Sequence, residues 1–222
     1  MAARSILFDL DGTVVDSKPG ILASSRAALA ALGHPVDSLD IDHLIGPPLE
    51  EVLAEVLRPL GDDRVAEAAL AYRDHYGRTG FRETTVYPGL TAVLDQLIAR
   101  GARLYIATSK RTLFAERILR RLGLFDRFAG VHGSEPEGAM DAKADVIVHV
   151  LRTHHLTADH SLMVGDRRQD IEGARAHGVA AVGVLWGYGD RAELVSAGAK
   201  HIASEPADLI PIVEVHGNKV RA

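Results

Sequence analysis

Two carboxylates one residue apart stand directly after the first apolar run of the chain, in Asp9-Leu10-Asp11-Gly12-Thr13. Residues i and i+2 of a strand point to the same face, so Asp9 and Asp11 can lean toward one site as the strand ends. Gly12 tolerates a backbone angle that other residues resist and lets the chain approach a ligand closely. An ordinary Asx-type turn uses the same residues. A second acidic group lies in Val164-Gly165-Asp166-Arg167-Arg168-Gln169-Asp170, again after an apolar run. The i, i+4 spacing of Asp166 and Asp170 puts both on one face of a helix expected to begin there. Helix capping accounts for either residue singly. All four carboxylates on one sheet edge would repel one another without a cation, and hard oxygen ligands suit Mg²⁺ better than zinc.

The elements that must carry these residues follow from the hydrophobic pattern. Ser5–Leu10, Arg103–Thr108, Ser161–Gly165 and Val179–Val184 are short apolar runs of the kind buried on both faces in a parallel sheet, and Phe128–His132 is a weaker one. Between them, 90–100, 113–122, 144–151 and 171–177 have helical period. The alternation predicts a doubly wound, mostly parallel α/β sheet, whose ligands bind beyond the carboxyl ends of the strands. Residues 15–86 break the rhythm with three helical segments, 21–32, 49–57 and 65–76, and no convincing strand. A stretch of roughly 70 residues is too long for a simple crossover. The expected organisation is therefore an α/β core domain of residues 1–15 and 86–222, interrupted by an all-helical cap domain of residues 16–85. The tail 215–222 is expected to fray.

Composition excludes several chemistries. The chain has 222 residues and no cysteine, which removes disulfides, thiolate catalysis and cysteine-ligated metals. A formal net charge of −5 leaves no basic footprint for nucleic acid or anionic membrane. No apolar run is long enough for a signal-peptide core or a membrane span, so a cytoplasmic protein is expected. The histidines His149, His154, His155 and His160 lack the spacing of a helical zinc pair and are expected to be solvated. Gly183–Gly189 has neither P-loop nor dinucleotide spacing and reads as a loop after the fifth strand, with Trp186 and Tyr188 as core or rim residues.

With these motifs in hand, the chain resembles the haloacid dehalogenase superfamily, and within it the phosphoglycolate phosphatase-like group with a helical cap. Asp9-Leu-Asp11-Gly-Thr13 is similar to its first motif, Thr108-Ser109 to its second, Lys143 to its third and Gly165-Asp166-Arg-Arg-Gln-Asp170 to its fourth. Ile45-Gly46-Pro47-Pro48-Leu49 is similar to a stretch of the group's cap. The resemblance implies a phosphatase for a small phosphate monoester, phosphoglycolate-like or a nucleotide or sugar phosphate. It makes Asp9 the nucleophile of an aspartyl-phosphate route, a covalent role open to carboxylates, and Asp11 the acid and base. It assigns Thr108, Ser109 and Lys143 to the phosphoryl group. Mg²⁺ is expected on Asp9, the Asp11 carbonyl and Asp166, with Asp170 bound directly or through water. Ser109 stands where many relatives carry Asn. Lys110 and Arg111 add positive charge or simply start a solvated helix. Monomer and homodimer are both open. A sugar phosphomutase and a catalytically silent binding protein share the fold and are the alternatives.

Overall fold

The computed structural model describes residues 5–34, 45–135 and 140–219. In chain order the elements are β1 (Ser5–Phe8), β2 (Val15–Asp16), α1 (Lys18–Ala31), α2 (Leu49–Leu57), α3 (Val65–Arg78), β3 (Thr85–Val86), α4 (Leu90–Ala99), β4 (Arg103–Arg111) and α5 (Thr112–Arg121). They continue with β5 (Gly130–Ser134), α6 (Lys143–Thr153), β6 (Ser161–Gly165), α7 (Arg168–Ala176), β7 (Ala180–Val184), α8 (Arg191–Ala197), β8 (His201–Ala203) and α9 (Leu209–Lys219).

Six strands form one parallel sheet in the order β5-β4-β1-β6-β7-β8. β1 is central because every residue from Ile6 to Phe8 is fully buried, which suits a strand covered on both faces. Alternation then sorts its side chains. Ile6 and Phe8 join the core against α4, α5 and α9, through Leu94, Ile118 and Val213 among others. Leu7 joins the opposite core against α6, α7 and α8, through Val146, Ile171 and Leu194. Helices on both faces make the sheet doubly wound, as the alternating pattern requires. The chain moves from β1 outward through β4 to β5, then returns to β6 on the other side of β1 and continues to β8. That reversal opens a crevice at the carboxyl end of β1, the place where open α/β sheets bind ligands.

Helices α1–α3 form the insertion after β1, with α1 and α2 packed on α3. Leu53, Leu57, Tyr72 and Tyr76 from these helices continue the β1–α4–α5 core without a break. His34 and Arg64 close on Asp62, at 2.7 and 2.6 Å, and tie the end of α1 to the start of α3.

Several expectations need correction. The stretch 15–86 does contain strands, because β2 and β3 pair antiparallel, Val15 with Val86 and Asp16 with Thr85. The tail is not frayed as far as it is described, since α9 runs to Lys219, and 220–222 lie outside the described residues. The strand expected to end at Thr108 extends to Arg111, so Lys110 and Arg111 do not start a helix. α8 and β8 had no expectation at all. β8 is three residues long, with only Ala203 fully buried, too short for its pattern to register.

Candidate active site

The register of the sheet brings the motif residues to one edge. Phe8 pairs with Ile106 on one side and Val164 on the other. The residues just beyond them, Asp9, Thr108 and Asp166, therefore emerge together. The Asp9 amide extends the ladder by donating to the Val164 carbonyl at 2.9 Å. Gly12 turns the chain at φ +84°, and a Cβ there would lie 2.3 Å from Asp166 Oδ2. Only glycine allows the two acidic loops to approach this closely.

Asp9, Asp166 and Asp170 are all buried, and each offers an oxygen within 4.8 Å of the others. Asp166 is not on the helix with Asp170, as the spacing predicted. It lies in the loop before α7, which starts at Arg168. Convergence comes instead from Asp170 in the first turn of α7, where its Oδ2 accepts the Arg167 amide at 3.1 Å. Burial pushes the Asp9 carboxyl up to about 6, against the opposing pull of Lys143. Burial and then the charges of Asp9 and Asp170 hold Asp166 well above the usual carboxylate range. Such a cluster stays fully ionised only beside added positive charge. The hard, all-oxygen donor set fits a Mg²⁺-like ion.

Lys143 supplies part of that charge. It is the first residue of α6, buried, with Nζ 2.6 Å from Asp9 Oδ1, 2.9 Å from Asp170 Oδ1, and donating to the Ala107 carbonyl at 3.0 Å. Burial alone would lower its pKa, but Asp170 and Asp9 hold it well above the ordinary lysine value. A lysine that opens a helix is usually solvated; this one is committed to the carboxylates.

Asp11 lies beside them with both oxygens engaged. Oδ1 accepts the Ser17 hydroxyl at 2.5 Å, and Oδ2 pairs with Lys110 at 2.9 Å. The Lys110 ammonium also sits 4.5 Å from the ring centre of Tyr76 on α3, so β4 and the helical insertion meet at this ion pair. Thr108 is buried, and its Oγ1 accepts the Lys110 amide at 3.2 Å.

Other supporting groups carried no functional expectation. Thr13 donates its hydroxyl to Asp166 Oδ1 at 2.9 Å, and the Tyr188 amide donates to Asp166 Oδ2 at 2.8 Å. Trp186 Nε1 reaches the Thr13 carbonyl at 2.9 Å, and the Tyr188 hydroxyl takes the Ser17 amide at 3.0 Å. A Cβ on Gly187 would fall 2.3 Å from the Gly12 carbonyl and 2.4 Å from Asp166 Cβ. The glycine-rich loop after β7 is therefore the brace of the acidic edge. Its spacing from Thr13 along the chain, more than 170 residues, hides that role from local pattern.

Asp9, Asp11, Thr108 and Ser109 form the floor of a cavity of about 400 Å³. Its roof is the helical insertion, with Ile21, Val52, Tyr72 and Tyr76, together with Gly46–Glu50. Tyr72 and Tyr76 stack at 5.6 Å with planes 8° apart, and Phe114 of α5 meets Tyr76 edge-on at 5.3 Å. The floor is polar and charged; the roof is mostly apolar and aromatic. That division suits an anionic group below and a flat or apolar group above.

Residues 6–184 match the family model described as haloacid dehalogenase-like hydrolase. A 5'-nucleotidase of Pseudomonas aeruginosa is 39% identical over 215 residues, covering 96% of both chains. The tyrosine-protein kinase PtkA of Mycobacterium tuberculosis is 37% identical over 214 residues, covering 96% of this chain and 72% of the relative. Among solved structures, a predicted phosphatase from Clostridium acetobutylicum superposes with a TM-score of 0.87 at 32% identity over the whole of both chains.

Proposed function

The chain belongs to the haloacid dehalogenase-like hydrolases, and from that premise we propose that it is a Mg²⁺-dependent phosphatase that hydrolyses nucleoside monophosphates through an aspartyl-phosphate. The observation that carries the reading is Lys143 held between Asp9 and Asp170 beside Asp166, with Asp9 itself in the floor of a cavity that has an aromatic roof. In this reading residues 16–85 are a cap domain, and residues 1–15 and 86–222 are the catalytic core.

An oxygen of Asp9 attacks phosphorus in line as the bond from phosphorus to the ester oxygen breaks. Asp11 gives its proton to the departing alcohol oxygen. In the structure Asp11 is a carboxylate with both oxygens held by Ser17 and Lys110. To act as the acid it must turn away from them and first take up a proton from solvent. Asp11, now a carboxylate, takes a proton from water as that water attacks phosphorus; inorganic phosphate leaves and Asp9 is restored. Thr108 donates its hydroxyl, Ser109 its amide and Lys143 its ammonium to the phosphoryl oxygens, where charge develops. Asp9, Asp166, the Asp11 carbonyl and Asp170, the last directly or through water, would hold Mg²⁺. When bound, the ion supplies the positive charge that lets an anionic carboxylate meet an anionic phosphate.

Nucleotides are favoured over a two-carbon ester by the size of the cavity and the aromatic and apolar roof, which leave room for a base and ribose above the phosphate. The name of the Pseudomonas aeruginosa relative agrees. The test is phosphate release from a panel of nucleoside monophosphates, sugar phosphates and phosphoglycolate, with chelated and Mg²⁺-restored protein. The expected result is stoichiometric nucleoside and phosphate, stopped by EDTA, restored by Mg²⁺ and inhibited by Ca²⁺, whose looser shell misaligns the carboxylates. Full activity after exhaustive chelation overturns the metal assignment. Turnover confined to phosphoglycolate overturns the substrate, and isomer formation without phosphate release makes the protein a mutase.

A further inference from the structure

The histidines expected to be solvated are not all so. His132 on β5 and His154 just after α6 bring their Nε2 atoms to 2.8 Å, although 22 residues separate them in the chain. His149, one turn earlier on α6, packs edge-on against His132 with ring centres 5.1 Å apart. Tyr105 of β4 lies against the other side of His154, at 4.6 Å between ring centres. The two facing rings are thus held by neighbours on separate elements. Gly130 completes the arrangement, because a Cβ there would lie 2.5 Å from His154 Nε2 and 2.7 Å from His132 Nε2. Its lack of a side chain lets β5 lie close against one side of the pair, on an edge strand and in part-exposed surroundings. The cluster lies at the far end of α6 from Lys143, roughly 15 Å along the helix.

We propose that His132 and His154 form a two-imidazole site for a divalent late-transition cation, Cu²⁺ or Ni²⁺, separate from the carboxylate cluster. The geometry selects the class. Two nitrogens bonded at about 2.0–2.1 Å to one ion are about 2.9 Å apart when the bonds meet at a right angle, and about 3.4 Å apart in a tetrahedron. The observed spacing matches the right angle, the preference of square-planar or tetragonal Cu²⁺ and Ni²⁺. Ligation needs neutral rings, and burial together with His154 and His149 holds the His132 pKa down to about 4. A direct N–H···N bond uses one Nε2 lone pair; a shared ion uses both and leaves each Nδ1 to carry its proton. Waters would complete the coordination.

The experiment titrates Cu²⁺ alone into the full-length protein in saturating Mg²⁺, which keeps the carboxylates occupied. Calorimetry gives the stoichiometry and electron paramagnetic resonance counts the coordinating nitrogens. One equivalent bound through two imidazole nitrogens is expected. His132→Gln and His154→Gln should each weaken binding at least tenfold, whereas His160→Gln, at a histidine outside the cluster, should leave it unchanged. No binding at micromolar Cu²⁺, fewer than two nitrogens, or equal affinity in His132→Gln shows a plain hydrogen bond and overturns the proposal. Should the variants not fold, the nitrogen count in the wild-type protein decides alone.

Discussion

Asp9 shares its environment with every other group of the acidic edge, so a change of one atom there is informative. Asp9→Asn keeps the side chain's size and can keep an oxygen on Lys143, but an amide is a poor nucleophile. Turnover is expected to fall by about 10³-fold or more with the circular dichroism spectrum and melting behaviour retained; near-wild-type turnover by a folded, pure Asp9→Asn protein would falsify the nucleophile assignment. Gly187→Ala tests the brace instead. Its Cβ would enter the space of the Gly12 carbonyl and Asp166 Cβ, so Mg²⁺ affinity should drop about tenfold or more while cavity-roof selectivity is kept. Equal Mg²⁺ affinity in calorimetry would show that the loop yields without moving Asp166. At this scale the sequence made the acidic residues conspicuous, because each follows an apolar run that must be a buried strand. Lys110, Thr13 and Tyr188 were obscure for a physical reason. Their partners are set by strand order and loop packing, and nothing in their neighbours along the chain distinguishes an ion-paired lysine from a solvated one.

The element that joins cavity to carboxylates is the short loop at Ile45–Pro48. Arg167, next to Asp166, donates from Nη1 to the Ile45 carbonyl and pairs with Glu193 of α8 at 2.9 Å. Gly46 lies against it at φ +127°, where a Cβ would approach Arg167 Cγ to 3.1 Å. A substitution at Gly46 thus strains its own backbone and presses on Arg167 at once. Gly46→Ala and changes along Pro47–Glu51 are expected to redistribute kcat/KM several-fold among nucleoside, sugar and two-carbon phosphates. The rate on p-nitrophenyl phosphate and the Mg²⁺ affinity should change much less. Uniform loss across all esters would make the loop a support instead of a selector. The helices of the insertion were readable from their 3.6-residue period. The two-residue strands β2 and β3 were not, because pairing of that length is decided by where the helices return the chain and leaves no periodic trace.

For the whole molecule, acid is the informative stress. The folded pKa of His132, about 4, lies below the unfolded histidine value of about 6.5. The unfolded chain therefore binds more protons between these values, and this contribution is complete above about pH 6.5 and lost as pH falls toward 4. His154 is shifted the same way, by burial and by Arg103. Denaturant midpoints measured from pH 7.5 to 4.5 should fall less steeply in His132→Gln than in the wild-type protein. Parallel slopes would show that His132 gains its proton freely in the folded state. Doubly wound architecture was plain from the order of apolar runs and helical segments, whereas the histidine cluster was hidden because it joins an edge strand to the far end of a helix.

The antiparallel pair β2–β3 has a consequence for how such a molecule can change over generations. Val15 and Val86 are ladder partners, so the chain leaves and rejoins the sheet domain at nearly one point, about 5 Å apart. To the sheet, everything between them is a loop whose ends already touch. The entropy of closing such a loop grows only with the logarithm of its length, about 0.6 kcal/mol for each doubling. Chain closure therefore sets little limit on how long the segment between those two valines can become over generations. The limit is packing, because any replacement must still supply what Leu53, Leu57 and Tyr76 lend to the shared core and a partner for Asp11 where Ser17 stands.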